Sequence, residues 1–375
     1  MKETIWIEVS KNNLKHNLQM LRRLIGKKIL APAVKANAYG HGLIETAKLL
    51  IKFGADWLCV NSVAEAEKLR QSKIKKPILI IGCVAPEEFK KVVAYDLRLF
   101  VYDIISAKRL SRLAVAKHKK VKIHFKIDTG MHRQGVQLEQ AESLVQKIAA
   151  LPGLEIEGLA THFASADNPR RPAYFKKQSA TFKILSARIK EILGKKLIVH
   201  CDKSASILLY PDKLFDLVRP GIAVYGHFPA AEIEKICQKR KIHLRPALSL
   251  KTKISFVKKI PKNSLVGYGC SFKTKRPTTI ALLPIGYYDG LDRGLSNRGW
   301  VLVAGQKAPI IGRICMNITI IDVTDIKNIS AGTEATIIGK QKNQVITAEN
   351  LAEQLGTINY EIIARLRESI SRYYL

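Results

Sequence analysis

The sequence has few acidic residues, no closely paired cysteines and no long uninterrupted apolar run. Its cysteines are Cys59, Cys83, Cys201, Cys237, Cys270 and Cys315. None belongs to a C-x-x-C pair, so no zinc site, redox motif or other metal site is expected. Most are expected to be small buried residues in a reducing compartment. The absent apolar run excludes a membrane-spanning helix. The polar–apolar alternation of residues 1–10 also lacks the apolar block of a signal peptide, so we expect a cytoplasmic location.

The shortage of acidic residues leaves a large positive charge. The chain has 31 Asp and Glu against 63 Lys and Arg, a formal net charge of +32. Nucleic-acid binding is one interpretation. However, the lysines are spread over nearly every helical segment, and no recognition motif for DNA or RNA is present. A solvated basic surface that favours anionic ligands is the better explanation, and we expect no specific nucleic-acid partner and no membrane partner.

Short apolar runs alternate with helical patterns over the first 240 residues. The predicted strands are 29–34, 57–61, 78–82, 98–101, 121–128, 154–161, 197–201 and 216–225. The predicted helices between them are 43–53, 63–71, 86–94, 104–118, 138–150, 174–193 and 204–209. Eight such units indicate an α/β fold, a closed (β/α)8 barrel spanning residues 10–238. A doubly wound open sheet would also alternate, but no G-x-G-x-x-G follows the first strand.

The pattern changes after about residue 240, where strands follow one another without intervening helices. They are predicted at 247–257, 264–267, 278–284, 300–303, 308–314, 318–323 and 334–338, with helices at 348–354 and 361–367. A length of 375 residues also favours two domains. Residues 1–9 plus 239–375 are therefore expected to form a mostly β C-terminal domain.

One lysine ends the first predicted strand. An apolar run leads into Lys35, and small residues and glycines follow it, leaving room beside the amine. A lysine in a dry pocket loses its charge readily and can form an imine with a carbonyl. The plainer alternative is a strand that stops at a solvated lysine, and Pro32 argues mildly against a central strand here.

Chemistry in a parallel barrel lies at the carboxyl ends of the strands. The candidates at those ends are Lys35, Tyr39, Lys126, Arg133, His162, Ser204, Arg219, Gly221 and Ile222. Ser204 with the backbone amides of Gly221 and Ile222 is typical of a phosphate site. An imine-forming lysine beside a phosphate site indicates pyridoxal phosphate. Each residue has a plainer role: His162 as a core histidine, Arg219 as an ion-pair partner, and Lys126 as a strand-end charge.

Several segments together resemble the alanine racemase family, in its order and spacing, over the whole chain. They are 34–42 (VKANAYGHG), 128–133 (DTGMHR), 161–163 (THF), 219–222 (RPGI), 267–269 (GYG), 284–287 (PIGY) and 312–316 (GRICM). The resemblance implies a pyridoxal-phosphate enzyme of fold type III. It would interconvert L-alanine and D-alanine by two-base proton transfer on a pyridoxal-phosphate aldimine, supplying D-alanine for cell-wall peptidoglycan. The family also implies a homodimer whose sites are shared between subunits, with the C-terminal domain contributing to the partner's site.

The resemblance implies a role for each matching residue. Lys35 and Tyr268, the latter from the partner subunit, would be the catalytic bases, and Lys35 would also hold the cofactor. The cofactor's phosphate would be bound by Tyr39, Ser204, Gly221, Ile222 and Tyr360. His162 would pack on its ring, Arg133 would bind its phenolic oxygen, and Arg219 would face its pyridine nitrogen. Lys126, carbamylated in many members, would orient Arg133. Arg133 and Met316 would bind the substrate, and the entrance would be lined by Asp167, Tyr287, Arg293 and Tyr360.

Three residues depart from the usual family pattern. Asn317 replaces an aspartate, Lys203 replaces an asparagine, and Gln134 replaces an apolar residue. A broader-specificity amino-acid racemase is therefore the alternative function. A related decarboxylase is disfavoured by Tyr268 and by the lack of that family's glycine-rich phosphate motif. A non-catalytic cofactor carrier is disfavoured by the second domain, and a polyanion-binding protein rests on net charge alone.

Overall fold

The computed structural model describes residues 3–375 and separates them into two compact units. One unit contains the described residues up to Asn12, together with Tyr39–Gly42 and Ala247–Leu375. The other contains Asn13–Ala38 and Leu43–Pro246. Within the part of the chain that the structure describes, no helix is both long enough and apolar enough to cross a membrane.

The second of these units is built on eight parallel strands. In chain order they are Ile29–Leu30, Leu58–Val60, Ile78–Ile80, Arg98–Val101, Val121–Lys126, Leu154–Ala160, Ile198–His200 and Leu217–Val218. Strands two to seven form one sheet in sequence order, and strands one and eight pair in parallel. Single bridges join Ala33 to Cys59 and Asp202 to Val218. The two bridges link the pair to both edges of the sheet, which confirms the predicted (β/α)8 barrel.

Helices follow the strands in the expected alternation. They are Lys11–Ile25, Leu43–Lys52, Val63–Gln71, Phe89–Ala94, Ile104–Ala116, Ala141–Ala149, Pro172–Leu193, Ser204–Leu209 and Ala231–Lys239. Short 3-10 turns span Pro86–Glu88, Leu138–Gln140, Pro211–Lys213 and Ile222–Tyr225. The barrel strands are almost fully buried, because helices cover a parallel sheet on its outer face. Four polar side chains are buried within these strands: Arg98, His124, Lys126 and His200.

Antiparallel sheets dominate the other unit. Its strands are Ile5–Val9, Leu248–Lys253, Phe256–Ile260, Leu265–Val266, Phe272–Lys273, Thr278–Leu283, Trp300–Val303, Gln306–Pro309, Thr319–Asp322, Glu334–Gln341, Gln344–Ile346 and Ser371–Tyr374. They form sheets of seven, three and two strands. Helices span Ala348–Leu355 and Asn359–Ala364, and 3-10 turns span Tyr268–Cys270, Tyr287–Asp289 and Arg293–Leu295.

The first and last barrel strands are shorter than predicted. The predicted strand 29–34 pairs only over Ile29–Leu30, with one further bridge at Ala33. The predicted strand 216–225 is wrong beyond Leu217–Val218. Pro220 has no N–H to donate to a ladder, and Gly221 turns the chain at φ −109° and ψ −98° into the 3-10 turn Ile222–Tyr225.

The predicted strand 247–257 is two strands rather than one. Ile254 donates its N–H to Thr333, directly before the strand Glu334–Gln341, and Ser255 donates to Leu282 in the strand Thr278–Leu283. These two strands belong to different sheets. The chain therefore changes sheets between these two residues. The helix Lys11–Ile25 and the final strand Ser371–Tyr374 were not predicted.

Candidate active site

A left-handed turn follows Lys35 directly. Residues 36–39 all have φ between 52° and 53°, although none is glycine. The left-handed conformation costs about 1–2 kcal/mol for each such residue. Four consecutive residues in this state require neighbours that hold them there, and such strain is typical of functional sites.

Glu65 holds the beginning of this turn. Its Oε1 accepts the N–H of Ala36 at 2.7 Å, and its Oε2 accepts the N–H of Asn61 at 2.7 Å. Glu65 lies in the first turn of the helix Val63–Gln71 and completes a capping box with Ser62. The side chain of Asn37 also accepts the N–H of Leu43 at 2.8 Å. One carboxylate thus ties the end of the second barrel strand to the residue after Lys35.

The amine of Lys35 loses its proton more readily than a solvated lysine. Burial lowers its pKa first, and the positive charge of Arg133 lowers it further. Negative charge at Glu65 acts in the opposite direction but does not outweigh them. Cys59 lies close by, and burial raises the pKa of its thiol to about 12, so it stays neutral near pH 7. A neutral amine is the form that attacks a carbonyl.

The substitution Glu65→Gln should lower the pKa of Lys35 further. The carboxylate favours the charged ammonium, so its loss makes deprotonation easier. The pH profile for modification of the Lys35 amine by a small aldehyde should therefore shift toward lower pH. Glu67→Gln on the same helix is the matched control, because Glu67 pairs with Lys91. An unshifted profile in the Glu65 variant would contradict this role.

Two further basic side chains are buried at this end of the barrel. The side chains of Lys126 and Arg219 are 3% and 7% exposed. Their Nζ and Cζ atoms lie 4.9 Å and 5.6 Å from the ring centroid of Phe100. Arg219 donates from Nη2 to the Thr161 carbonyl at 2.9 Å. Burial, then the charges of Arg219 and Arg133, place the pKa of Lys126 well below its ordinary value, so this amine also loses its proton more readily than a solvated lysine.

Asp128 shapes the loop that carries Arg133. Its carboxylate accepts the N–H groups of Gly130 and Met131 at 2.8 Å and of Arg133 at 3.1 Å. Burial raises the pKa of this carboxyl, but these hydrogen bonds outweigh burial and hold it below its ordinary value. At Gly135, with φ 128°, a Cβ would lie 2.5 Å from the backbone nitrogen of Asp128. Only glycine therefore allows the loop to close this tightly.

Ser204, Gly221 and Ile222 form a small polar cradle. The buried Ser204 hydroxyl accepts the N–H of Gly221 at 3.0 Å and of Ala223 at 3.3 Å. Ile222 begins a 3-10 turn, so its N–H has no acceptor within that turn. Ala33 donates its N–H to the Pro220 carbonyl at 2.8 Å, which places the end of the first strand next to the cradle. The cradle and Lys35 thus share one end of the barrel.

His162 presents a neutral ring at the same end. Burial, and then the charge of Lys126, lower its pKa well below the ordinary histidine value. Arg219 and Lys203 act in the same direction. An imidazole kept uncharged among cations offers a flat surface for packing rather than a proton.

The remaining predicted residues lie in the mostly β unit, which contains Tyr39–Gly42 and Ala247–Leu375. Tyr39 and Tyr360 have ring centroids 6.2 Å apart, with planes inclined by 52°. Tyr268 is 70% exposed in a 3-10 turn, and Met316 is 55% exposed. The others at the surface are Arg293, Asn317 and Tyr287.

Two of the three residues that depart from the usual family pattern have polar partners. The Nζ of Lys203 lies 3.3 Å from Asp167, and Gln134 donates from Nε2 to the sulfur of Cys83 at 3.1 Å.

Sequence reasoning missed Glu65 and Phe100. The S-x-x-E pattern of Ser62 and Glu65 signals the helix start, but not the contact with Ala36.

Two family models cover most of the chain. Residues 9–229 match "Alanine racemase, N-terminal domain" and residues 247–374 match "Alanine racemase, C-terminal domain". The alanine racemase of Methanococcus maripaludis is 40% identical over 373 residues, covering 99% of this chain and 98% of that protein. "Alanine racemase 2" of Caldanaerobacter subterraneus is 38% identical over 371 residues, covering 98% and 94% respectively.

Solved structures agree over the full length. Alanine racemase from Streptomyces lavendulae superposes with a TM-score of 0.93 at 32% identity, covering 100% of this chain and 98% of that chain. The alanine racemase from Bacillus anthracis, solved with bound L-Ala-P, gives a TM-score of 0.93 at 33% identity, covering 100% and 96%.

Proposed function

Since this chain belongs to the alanine racemase family, we propose that it interconverts L-alanine and D-alanine with pyridoxal 5'-phosphate bound at Lys35. The observation that carries this function is the buried Lys35 amine, whose pKa is lowered, at the same end of the barrel as the polar cradle of Ser204, Gly221 and Ile222. The proposal extends to a cytoplasmic homodimer that supplies D-alanine for peptidoglycan.

The residues at the barrel end fit pyridoxal phosphate. Lys35 offers an amine that deprotonates readily for its aldehyde, and Arg219 offers a buried cation. The cradle offers the Ser204 hydroxyl and the N–H of Ile222 for its phosphate, while the N–H of Gly221 is donated to Ser204. When bound, the cofactor makes the hydrogen on the substrate's α-carbon acidic by accepting an electron pair into its ring. The protein must then hold the substrate and move protons on its two faces.

We assign the two proton-transfer roles to Lys35 and to Tyr268 of a second subunit. Racemisation requires a proton to leave one face of the α-carbon and another to arrive on the opposite face. The exposure of Tyr268 supports its use by another chain. A free phenol has a pKa of about 10, so neighbouring positive charge in the shared site must favour its deprotonated form. The domain of residues 1–9 and 239–375 would in this way complete the site on the partner's barrel, residues 10–238.

In this proposal the charge around the cofactor is set by Arg219, His162 and Lys126. Arg219 retains its proton, unlike an acidic partner that would protonate the pyridine nitrogen. The weaker electron sink that results disfavours side reactions such as transamination. His162 packs on the ring. The Lys126 amine, whose pKa is lowered, can in its deprotonated form add to carbon dioxide and lose a proton, and the resulting carbamate would hold Arg133 in place.

The other site residues have supporting roles. Tyr39 and Tyr360 would bind phosphate, and their close rings support a joint role. Arg133 and the amide of Met316 would bind the substrate carboxylate, with Asn317 beside them. The entrance would be lined by Asp167, Tyr287, Arg293 and Tyr360.

Racemisation rates on three amino acids test the substrate assignment. L-alanine should be turned over at least about tenfold faster than L-serine or L-lysine, because one unfavourable group in a pocket costs roughly 1–3 kcal/mol. Circular dichroism of each enantiomer follows the reaction directly. Comparable rates on all three would establish the broader-specificity racemase, which Gln134 and Asn317 favour. No racemisation of any of them would refute the proposed function.

A further inference from the structure

The loop Tyr39–Gly42 is docked onto the final strand within the mostly β unit. Arg372 of this strand donates from Nε to the Gly40 carbonyl at 2.8 Å. Tyr374 donates its hydroxyl to the His41 carbonyl at 2.8 Å. We call these two side chains the loop clamp. The proposed chemistry gives neither of them a role.

Further backbone carbonyls fix the guanidinium of Arg372. It also donates from Nη1 to the carbonyls of Glu368 and Ile370, and from Nη2 to that of Arg367. All three acceptors lie just before the final strand, so one planar group joins that segment to Gly40. Arginine retains its charge even where burial lowers its pKa, as it does here. The side chain is therefore a fixed bridge rather than a mobile surface cation.

The strand that carries the clamp is fixed to the seven-stranded sheet. Ser371–Tyr374 pairs in parallel with Ile5–Val9, and Leu375 donates its N–H to the Val9 carbonyl at 3.0 Å. On its other edge Ile5–Val9 pairs with Leu248–Lys253. Side chains on paired strands are held more precisely than side chains on loops. The clamp therefore gives the loop a fixed reference in the sheet.

Two glycines allow the loop to lie this close. At Gly42, with φ 93°, a Cβ would lie 2.2 Å from the Tyr374 hydroxyl oxygen. At Gly40, with φ 82°, a Cβ would lie 2.0 Å from the Ile363 carbonyl oxygen. Positive φ is also uncommon for any other residue. Docking onto the final strand and onto the helix Asn359–Ala364 therefore requires both glycines.

The docked loop determines where the Tyr39 ring lies. The buried His41 ring has its Nδ1 3.0 Å from the Tyr39 carbonyl, and since a carbonyl only accepts, His41 donates there. The Tyr360 ring lies 6.2 Å from the Tyr39 ring. Tyr360 belongs to the helix Asn359–Ala364, whose backbone Gly40 approaches. Loop docking thus sets the position of one tyrosine relative to the other.

The clamp also opposes backbone strain. Tyr39 is the last of the four left-handed residues that follow Lys35, with φ 52°. Glu65 holds the first of them, and the clamp holds the two residues after the last. Strained backbone of this kind persists only where its surroundings fix it. Without the clamp the segment after Tyr39 can relax, and the direction of the Tyr39 side chain changes with it.

We propose that Arg372 and Tyr374 are positioning residues that hold Tyr39 where its hydroxyl meets the phosphate of the cofactor. The inference rests on the proposed function, in which Tyr39 binds that phosphate. Both clamp residues donate to backbone carbonyls of the loop. Their effect on the phosphate therefore passes through Tyr39.

Hydrogen–deuterium exchange of the cofactor-free protein tests the clamp itself. Tyr374→Phe removes the hydroxyl and keeps the ring, so the chain should still fold. Backbone amides of residues 39–43 should then exchange about fivefold faster, the effect expected of one lost hydrogen bond. An unchanged exchange rate in this segment would overturn the proposal.

Cofactor titration and phosphorus NMR of the holoenzyme test the link to Tyr39. In Tyr374→Phe the affinity for pyridoxal phosphate should fall about fivefold, and the phosphate resonance of the bound cofactor should shift. Arg372→Lys keeps the charge but loses the planar group, so it should have the same two effects. In a Tyr39→Phe background, Tyr374→Phe should cause no further loss of affinity, because the hydroxyl that it positions is already absent. An undiminished further loss in that background would overturn the proposal.

Tyr373→Phe is the matched control. Tyr373 is the neighbouring residue on the same strand, and its hydroxyl donates to Glu3 rather than to the loop. Its loss should leave the exchange of residues 39–43, the affinity and the phosphate resonance unchanged. Equal effects of Tyr373→Phe and Tyr374→Phe would overturn the proposal. Failure of the unsubstituted protein to bind pyridoxal phosphate or racemise alanine would instead refute the proposed function, because the exchange experiment is read without the cofactor.

Discussion

Lys35→Ala is expected to abolish racemisation, with a loss of roughly 10⁴-fold or more, and to remove the visible absorption band of the lysine–cofactor imine. The amine has two roles in the proposed function, since it captures the cofactor and moves a proton on one face of the substrate. Alanine can do neither. Absorption spectra and racemisation rates measure both losses, and borohydride reduction with peptide mapping should place a pyridoxyl group on Lys35 in the unsubstituted protein.

Lys48→Ala provides the control for the loss of a lysine. Lys48 is half-exposed on the helix Leu43–Lys52 and pairs with Glu45 at 2.9 Å, so its loss should leave band and rate unchanged. Added methylamine should restore part of the activity of Lys35→Ala, because a small amine can replace the missing base. A Lys35 variant that kept its imine band would show that another lysine holds the cofactor.

The barrel could be predicted from sequence because its strands are short, buried and flanked by helices. Strands of this kind appear as continuous apolar runs, and all eight predicted runs contain a strand. The strand ends were harder to predict. Apolar residues continue through Ile222 and Val224, but Pro220 removes a ladder donor and the chain enters a 3-10 turn. Hydrophobicity alone does not distinguish a strand that continues through these residues from a 3-10 turn.

The candidate site was predictable where its residues follow strands, as at Lys35, His162 and Arg219. The conformation around Lys35 was not. Two alanines in residues 36–39 favour an ordinary helix, whereas the left-handed turn is held at its beginning by Glu65, which lies on the helix Val63–Gln71. The contact between Glu157 and His124 could not be predicted for the same reason, since the two residues are 33 apart in sequence. Local patterns carry no information on such contacts.

Tyr268→Phe should leave cofactor binding intact but slow proton exchange on one face of the substrate by about 10²–10⁴-fold, the usual contribution of a positioned acid or base. Phenylalanine keeps the ring and removes only the hydroxyl. Because Lys35 remains to act on the other face, exchange should fail from one enantiomer and persist from the other. Incorporation of deuterium from heavy water into L-alanine and D-alanine, followed separately, measures the two faces.

Tyr288→Phe distinguishes a catalytic hydroxyl from any exposed tyrosine of the same unit. Tyr288 is 59% exposed and lies under the guanidinium of Arg367, at 4.7 Å, so its hydroxyl should be dispensable. Since Tyr268 acts on the partner's Lys35 in this proposal, mixing inactive Lys35→Ala and Tyr268→Phe subunits should restore activity. Each mixed dimer then has one site with both native bases. Undiminished exchange from both enantiomers in Tyr268→Phe would exclude the tyrosine as a base, and failure of the mixture to regain activity would exclude sharing between subunits.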